Sequence, residues 1–245
     1  MRFRLSGQDK GLWALVPVKA LGRAKQRLKN CMGEDRAGLT VAMLKDVLAA
    51  LSESKEVSHI VVVTDDARVA AITEQGGLLV VDEVEPKGMN EALEQGREAI
   101  RRMGGHRMVI VPGDIPLMTG SETDRVVAEL RIQRKARRVG VTGIVPSKDR
   151  GGTNLLCIET GQPFPLMYGP DSYRRHRDCA IEHGSQPVSL DSLPISLDMD
   201  EEKDLDEFIS FCISNPEFQA TETWKFLQDN GYVNRSRQEE KVYGN

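Results

Sequence analysis

The chain is poor in cysteine, and its four cysteines cannot be paired on sequence grounds. Cys31, Cys157, Cys179 and Cys212 lie far apart and match no metal-ligand or redox spacing. A disulfide framework and a thiolate metal knuckle are therefore excluded, and reduced thiols in a cytoplasmic protein are expected. Long apolar runs are also missing. The one near the start, residues 12–18, is short, contains Pro17 and is followed by no small-residue cleavage site, so neither a signal peptide nor a membrane span is expected. Positive charge is not in excess: the formal net charge is −4 and the pI about 5.7, which argues against a nucleic-acid surface. The basic run at 131–138, RIQRKARR, closes a predicted helix, where cations complement the helix dipole, and reads as a solvated face. There is no internal repeat and no Walker or dinucleotide glycine spacing.

What is present is an alternation of strand-length apolar runs with segments of helical period. With 245 residues the chain can bury a full core as one domain. Strands are expected at 12–18, 60–64, 78–81 and 108–111, then less regularly near 139–143, 154–158 and 187–190. Leu39, Met43, Leu44, Val47, Leu48 and Leu51 mark one helix face, and further helices are expected at 67–74, 90–102, 121–133, 172–182 and 201–212. This order predicts an α/β domain over residues 1–214, with a mostly parallel sheet covered by helices on both faces. Right-handed crossovers would place the strand C-termini on one side. Asn215-Pro216 closes the last helix, and the polar tail 215–245 keeps Trp224, Phe226, Leu227 and Tyr232, which suggests partial docking.

One motif gives this frame a chemistry. PGDIPL at 112–117 follows the 108–111 strand and puts Asp114 at its C-terminal end, the edge where open α/β sheets bind ligands. A second acidic motif, SLDMD at 196–200, follows the apolar run 193–197, and in an extended segment Asp198 and Asp200 would point the same way. Three carboxylates with no cysteine or histidine pair nearby suit Mg²⁺ and the phosphates it bridges.

The first strand runs into PVKALGRAKQRL, residues 17–28, where Lys19, Arg23, Lys25 and Arg27 surround a glycine. Such a loop can hold a triphosphate through backbone N–H and cationic groups together, although a basic surface loop would look similar. GMNEAL at 88–93 offers Gly88 for close approach and Asn90 either as a helix N-cap or as a partner for a base edge. Asp65 and Asp66 read as caps of the helix that follows them. In YGPDSYRRH at 168–176, Gly169 precedes a helix beginning near Ser172, whose N-terminus attracts anions, while a lone histidine such as His176 is more often structural.

These motifs, with GGTNLL at 151–156, resemble the guanylyltransferases that activate 2-phospho-L-lactate, phosphoenolpyruvate or 3-phospho-D-glycerate in the biosynthesis of the deazaflavin coenzyme F-420. The resemblance covers about residues 11–213, and it lies in six motifs in the same order. It implies a single-domain, Rossmann-like nucleotidyltransferase fold of the GT-A type, a requirement for Mg²⁺, and GMP transfer from GTP to a small phosphorylated carboxylic acid with release of pyrophosphate. The nucleotide contacts it implies are Pro17, Lys19, Lys25, Gly88, Asn90 and Pro112. Asp114 and Lys25 would be catalytic, Asp114, Asp198 and Asp200 would hold the metal, and Thr153, Gly169 and Ser172 would bind the acceptor. No nucleic-acid or membrane partner is expected, and a homodimer is a possible assembly. Another nucleotidyltransferase of the same fold, acting on a sugar phosphate or a molybdopterin, is the alternative, followed by a non-catalytic nucleotide-binding regulator.

Overall fold

The computed structural model describes residues 11–83, 87–137 and 139–234. Its centre is a seven-stranded sheet in the order β3-β2-β1-β4-β6-β5-β7. The strands are β1 (Leu12–Val18), β2 (Val57–Thr64), β3 (Leu79–Asp82), β4 (Arg107–Ile110), β5 (Gly140–Pro146), β6 (Thr153–Glu159) and β7 (Ser185–Ser189). The helices are α1 (Lys29–Met32), α2 (Asp35–Glu53), α3 (Ala67–Gln75), α4 (Met89–Arg102), α5 (Gly120–Ala136), α6 (Ser172–Glu182), α7 (Leu193–Ser196), α8 (Glu202–Ser214) and α9 (Glu222–Asp229).

Strand β1, LWALVPV, is apolar at every position because it lies between β2 and β4 and is covered on both faces. Its side chains alternate. Leu12, Ala14, Val16 and Val18 join Leu44, Val47, Leu48 and Val126 on one face, while Trp13 and Leu15 join Leu93, Ile100 and Tyr173 on the other. Gly96 of α4 is small for a reason: a Cβ there would lie 2.5 Å from a Leu15 methyl.

The sheet is mixed in one place. Strands β1 to β4 run parallel, and β7 runs parallel to β5, but β6 is antiparallel to both β4 and β5. Its register pairs Ile110 with Leu156 and Pro146 with Thr153. The start of β6 therefore lies at the same edge as the C-terminal ends of β4 and β5, and Thr153 and Asn154 reach the ligand-binding side of the sheet.

The run 193–197, read as extended from its apolar content, begins instead as the short helix α7. The Ser192 hydroxyl accepts from Ile195 N–H and Pro194 occupies the first turn, a combination that starts a helix. Asp198 and Asp200 thus sit in the irregular segment between α7 and α8, not at a strand end.

After Asn215 the chain folds across α2. Trp224, Leu227, Tyr232 and Val233 are buried with Leu39, Met43 and Phe208. Asp46 accepts from the backbone N–H groups of Glu222 and Thr223 at 2.7 and 2.8 Å, and the Tyr232 hydroxyl donates to Asp35. Residues 235–245 of the tail lie outside the described residues, as does Arg138 of the basic run. Within that run Arg131 pairs with Glu56 and Arg134 with Glu159, so two of its five cations are balanced locally.

Candidate active site

Four loops meet over the C-terminal edge of the sheet. The loop after β1 is not slack: two single 3₁₀ turns, Leu21–Arg23 and Gln26–Leu28, are joined at Lys25, which takes left-handed backbone angles of φ 48° and ψ 46°. A non-glycine residue is rarely found there. The consequence is that the Lys25 side chain turns inward, only 6% exposed, and its ammonium donates to Asp114 Oδ2 at 2.5 Å and Asp200 Oδ1 at 2.6 Å. Burial alone would lower the pKa of this lysine, but the two carboxylates outweigh it and hold the pKa above its ordinary value.

The shape of the loop is set from β2. Asp65 accepts from Ala20 N–H at 3.0 Å and from the Arg23 guanidinium, and Asp66 accepts from Leu21 N–H at 2.8 Å. Only Asp66 caps α3, through the N–H groups of Arg68 and Val69, whereas Asp65 serves the loop. The amides of Ala20 and Leu21 are therefore spent within the protein, and three of the loop's cations are paired as well, Arg23 with Asp65, Lys25 with Asp114 and Asp200, and Arg27 with Glu201.

The carboxylates are held unequally. Asp200 keeps its carboxyl below the usual range: burial works against its charge, but Lys25 more than compensates. Asp198 accepts from Asn154 and forms no ion pair among the described residues, and burial together with the charge of Asp114 pushes it up to about 6. Asp114 Oδ1 is buried and receives no hydrogen bond. A backbone bond from Met199 N–H to Asp114 C=O, 3.0 Å, ties the PGDIPL turn to the SLDMD segment. Among the described residues no three His, Cys, Asp or Glu side chains already converge as a metal cage. Asp114 and Asp200 converge on the ammonium instead.

From this cluster a cleft of about 790 Å³ extends over β1 and β2, lined by Pro17, Lys19, Lys25, Gly88, Pro112, Asp114 and Asp200. Asn90 lies outside it. It is the second residue of α4, after Gly88 as N-cap, and its amide pairs with the backbone of Tyr168 in both directions, at 3.2 and 2.8 Å. Its role in this structure is to bind α4 to the 167–169 loop.

Thr153 and Ser172 are only 3% and 1% exposed. The Ser172 hydroxyl donates to Thr153 Oγ1 at 3.3 Å, and Thr153 Oγ1 lies 3.0 Å from His176 Nδ1. His176 Nε2 accepts from Met167 N–H at 3.0 Å, which fixes the proton on Nδ1 and makes that nitrogen the donor to Thr153. Gly169, with φ +123°, turns the exposed chain into α6 and its carbonyl accepts from Ser172 N–H. One residue and one role had no signal in the sequence. Asn154 was part of a quoted motif but carried no pattern of its own, and the loop-holding role of Asp65 has no sequence signal, since it rests on a contact spanning 45 residues.

A sheet of this order, flanked by helices, has the fold of the nucleotidyltransferases. A solved structure from Desulfovibrio desulfuricans G20, assigned to the nucleotide-diphospho-sugar transferases, superposes with a TM-score of 0.71 over 93% of this chain and 97% of that one at 19% identity. The phosphoenolpyruvate guanylyltransferase of Roseiflexus castenholzii is 36% identical over 196 residues, 79% of this chain and 86% of the relative. The 3-phospho-D-glycerate guanylyltransferase of Phenylobacterium zucineum is 30% identical over 195 residues, 78% of this chain and 86% of the relative. The family model described as "Guanylyl transferase CofC like" matches residues 12–232, and the chain belongs to that family of guanylyltransferases.

Proposed function

We propose that the chain transfers GMP from GTP to the phosphate of a three-carbon acid, phosphoenolpyruvate, 3-phospho-D-glycerate or 2-phospho-L-lactate, in the cytoplasm and with Mg²⁺. The observation that carries this reading is the meeting of Lys25, Asp114 and Asp200 at a cleft whose first loop is cationic, with Asp198 outside the cleft lining but close enough to feel the charges of Asp114 and Asp200. An attacking phosphate and a nucleotide triphosphate are both polyanions, so their approach must be neutralised. Lys19 and Lys25 supply positive charge to the triphosphate side, where stabilising a departing pyrophosphate lowers the barrier. The donor set fits a hard divalent cation: three carboxylates, one with a buried oxygen lacking any partner and one kept basic, with no soft ligand near. Asp114, Asp198 and Asp200 would hold Mg²⁺, which when bound neutralises phosphate charge and orients the reacting groups. Acceptor binding is assigned to the region of Thr153, Gly169 and Ser172, where the exposed turn at Gly169 leads into α6; the two hydroxyls and the Ser172 N–H hold this region together.

Pyrophosphate release from GTP, measured with each acid in turn, tests the reading. One acid should support turnover, and Asp114→Asn, Asp198→Asn and Asp200→Asn should each remove most of it while melting near the wild-type temperature. Near-normal turnover in any two of the three variants would end the metal assignment, and turnover with none of the acids would end the assignment of the acceptor.

A further inference from the structure

We infer that Asn154 is a positioning residue of the carboxylate centre, holding the segment that carries Asp198 and Asp200 in place and committing one oxygen of Asp198 so that the other serves the cation. This rests on the reading of Asp198 as a metal ligand given above.

Asn154 is the second residue of β6 and only 3% exposed. An asparagine amide carries two hydrogens, and both are used on the same short segment: Nδ2 donates to Ile195 C=O at 3.0 Å and to Asp198 Oδ1 at 3.1 Å. The anchor is the start of β6, just outside the β4 ladder, which begins at Leu156; the register with β5 shifts here, Leu155 facing Val145 and Thr153 facing Pro146, and Asn154 lies between these two pairs. What it holds is otherwise irregular. Two further backbone ties flank or enter this segment, Lys148 N–H to the C=O of Ser196 at the end of α7, 2.9 Å, and Met199 N–H to Asp114 C=O, 3.0 Å. Two side chains reach its carboxylates, the Lys25 ammonium at Asp200 Oδ1 and the Asn154 amide at Asp198 Oδ1, and the amide is the uncharged one.

The residue type follows from the task. A neutral double donor can fix a carboxylate without cancelling its charge, whereas a lysine or arginine at this place would neutralise the ligand. An aspartate would repel Asp198, and a leucine would leave two buried acceptors unpaired. Partners of this kind, one bond removed from the ion, typically govern metal affinity by ten- to a hundredfold.

The competing account is that Asn154 only satisfies the Ile195 carbonyl and supports the fold. A double-mutant cycle on the full chain separates the two. Mn²⁺ affinity would be measured from the paramagnetic resonance of the free ion in wild type, Asn154→Ala, Asp198→Ala and the double variant. The Mg²⁺ concentration for half-maximal pyrophosphate release would close the cycle where binding is too weak for the resonance signal. Thermal unfolding in EDTA would be recorded for each. We expect Asn154→Ala to weaken Mn²⁺ by about ten- to a hundredfold and to add nothing further once Asp198 is gone. Should Asn154→Ala fail to fold, Asn154→Ser, whose hydroxyl can keep one of the two bonds, enters the same cycle. Losses that multiply in the double variant, or an unchanged affinity in Asn154→Ala, overturn the inference. If Asp198→Ala alone binds Mn²⁺ like wild type, the metal reading itself fails, a result distinct from either.

Discussion

His176 should make the protein lose stability in mild acid, and the amount can be worked from its surroundings. The ring is wholly buried in the hydrophobic cluster of α4 and α6. Its Nε2 accepts from Met167 N–H, so a proton added there would set two N–H groups against each other. Burial first, and the Arg175 charge second, lower its pKa from 6.5 to about 4. In the unfolded chain the same ring titrates near its ordinary value, so between pH 6.5 and 4 the unfolded state binds the extra proton. Stability therefore rises with pH across that window: the contribution is complete above about 6.5 and is lost progressively down to about 4. At ~1.4 kcal/mol per pH unit, the loss over the window is about 3 kcal/mol. Asp198 acts in the opposite sense. Raised to about 6, it binds its proton in the folded state first, so acidification from 6 toward 3.8 stabilises the fold when no metal is present. The wild-type curve in EDTA should then be nearly flat for these two groups taken together. The informative measurement is the difference in urea unfolding free energy between wild type and His176→Gln at a series of pH values. That difference should shrink by about 3 kcal/mol from pH 7.5 to 4. A difference independent of pH would refute the neutral, locked imidazole.

Lys25→Met should leave Asp114 and Asp200 facing each other without a cation, lowering stability in EDTA by about 1–3 kcal/mol, less than for a fully buried pair because Asp200 is half exposed; added Mg²⁺ should recover much of this, and a variant as stable as wild type in EDTA would show that the ammonium contributes nothing. Thr153→Val strands the His176 Nδ1–H and should cost about 1–3 kcal/mol of stability, read by denaturant titration, with the acceptor's KM changing more than that for GTP. Gly96→Ala drives a methyl group into Leu15, and a melting temperature at or above wild type would show that the contact between α4 and β1 can open; the expected cost is about 1–3 kcal/mol. GTP should be used far better than ATP, as expected of a member of this guanylyltransferase family, and equal rates of pyrophosphate release would contradict the family's donor.

Much of the frame was legible because burial and periodicity coincide. The runs of β1, β2 and β4 are apolar because they are central, and the stripe on α2 is apolar because that helix faces both the sheet and α9. The 193–197 run misled for a physical reason: composition registers that Ile195 is buried, but the helix is started by a serine cap and a proline, which apolar content does not weigh. Asn90 was ambiguous for a similar reason. An amide suited to a base edge is equally suited to a peptide edge, and Tyr168, 78 residues away, supplies one. The hydroxyls of Thr153 and Ser172 could be placed near one another by motif, but only the packing of α6 on β6 shows that His176 engages them.

The direction of β6 organises what sequence order hides. If β6 ran parallel like β1 to β4, its first residues would lie at the opposite edge of the sheet from Asp114, and GGTNLL could not contribute to the site. Reversed, it delivers Thr153 and Asn154 side by side at the C-terminal edge, with adjacent side chains on opposite faces. Thr153 then meets α6 and the loop before it, while Asn154 meets α7 and the acidic segment. Two consecutive residues thus tie the region proposed for the acceptor to the carboxylates. A change in the twist or register of this single strand would move both together, so under the function proposed above the acceptor region and the carboxylates would keep a fixed relation.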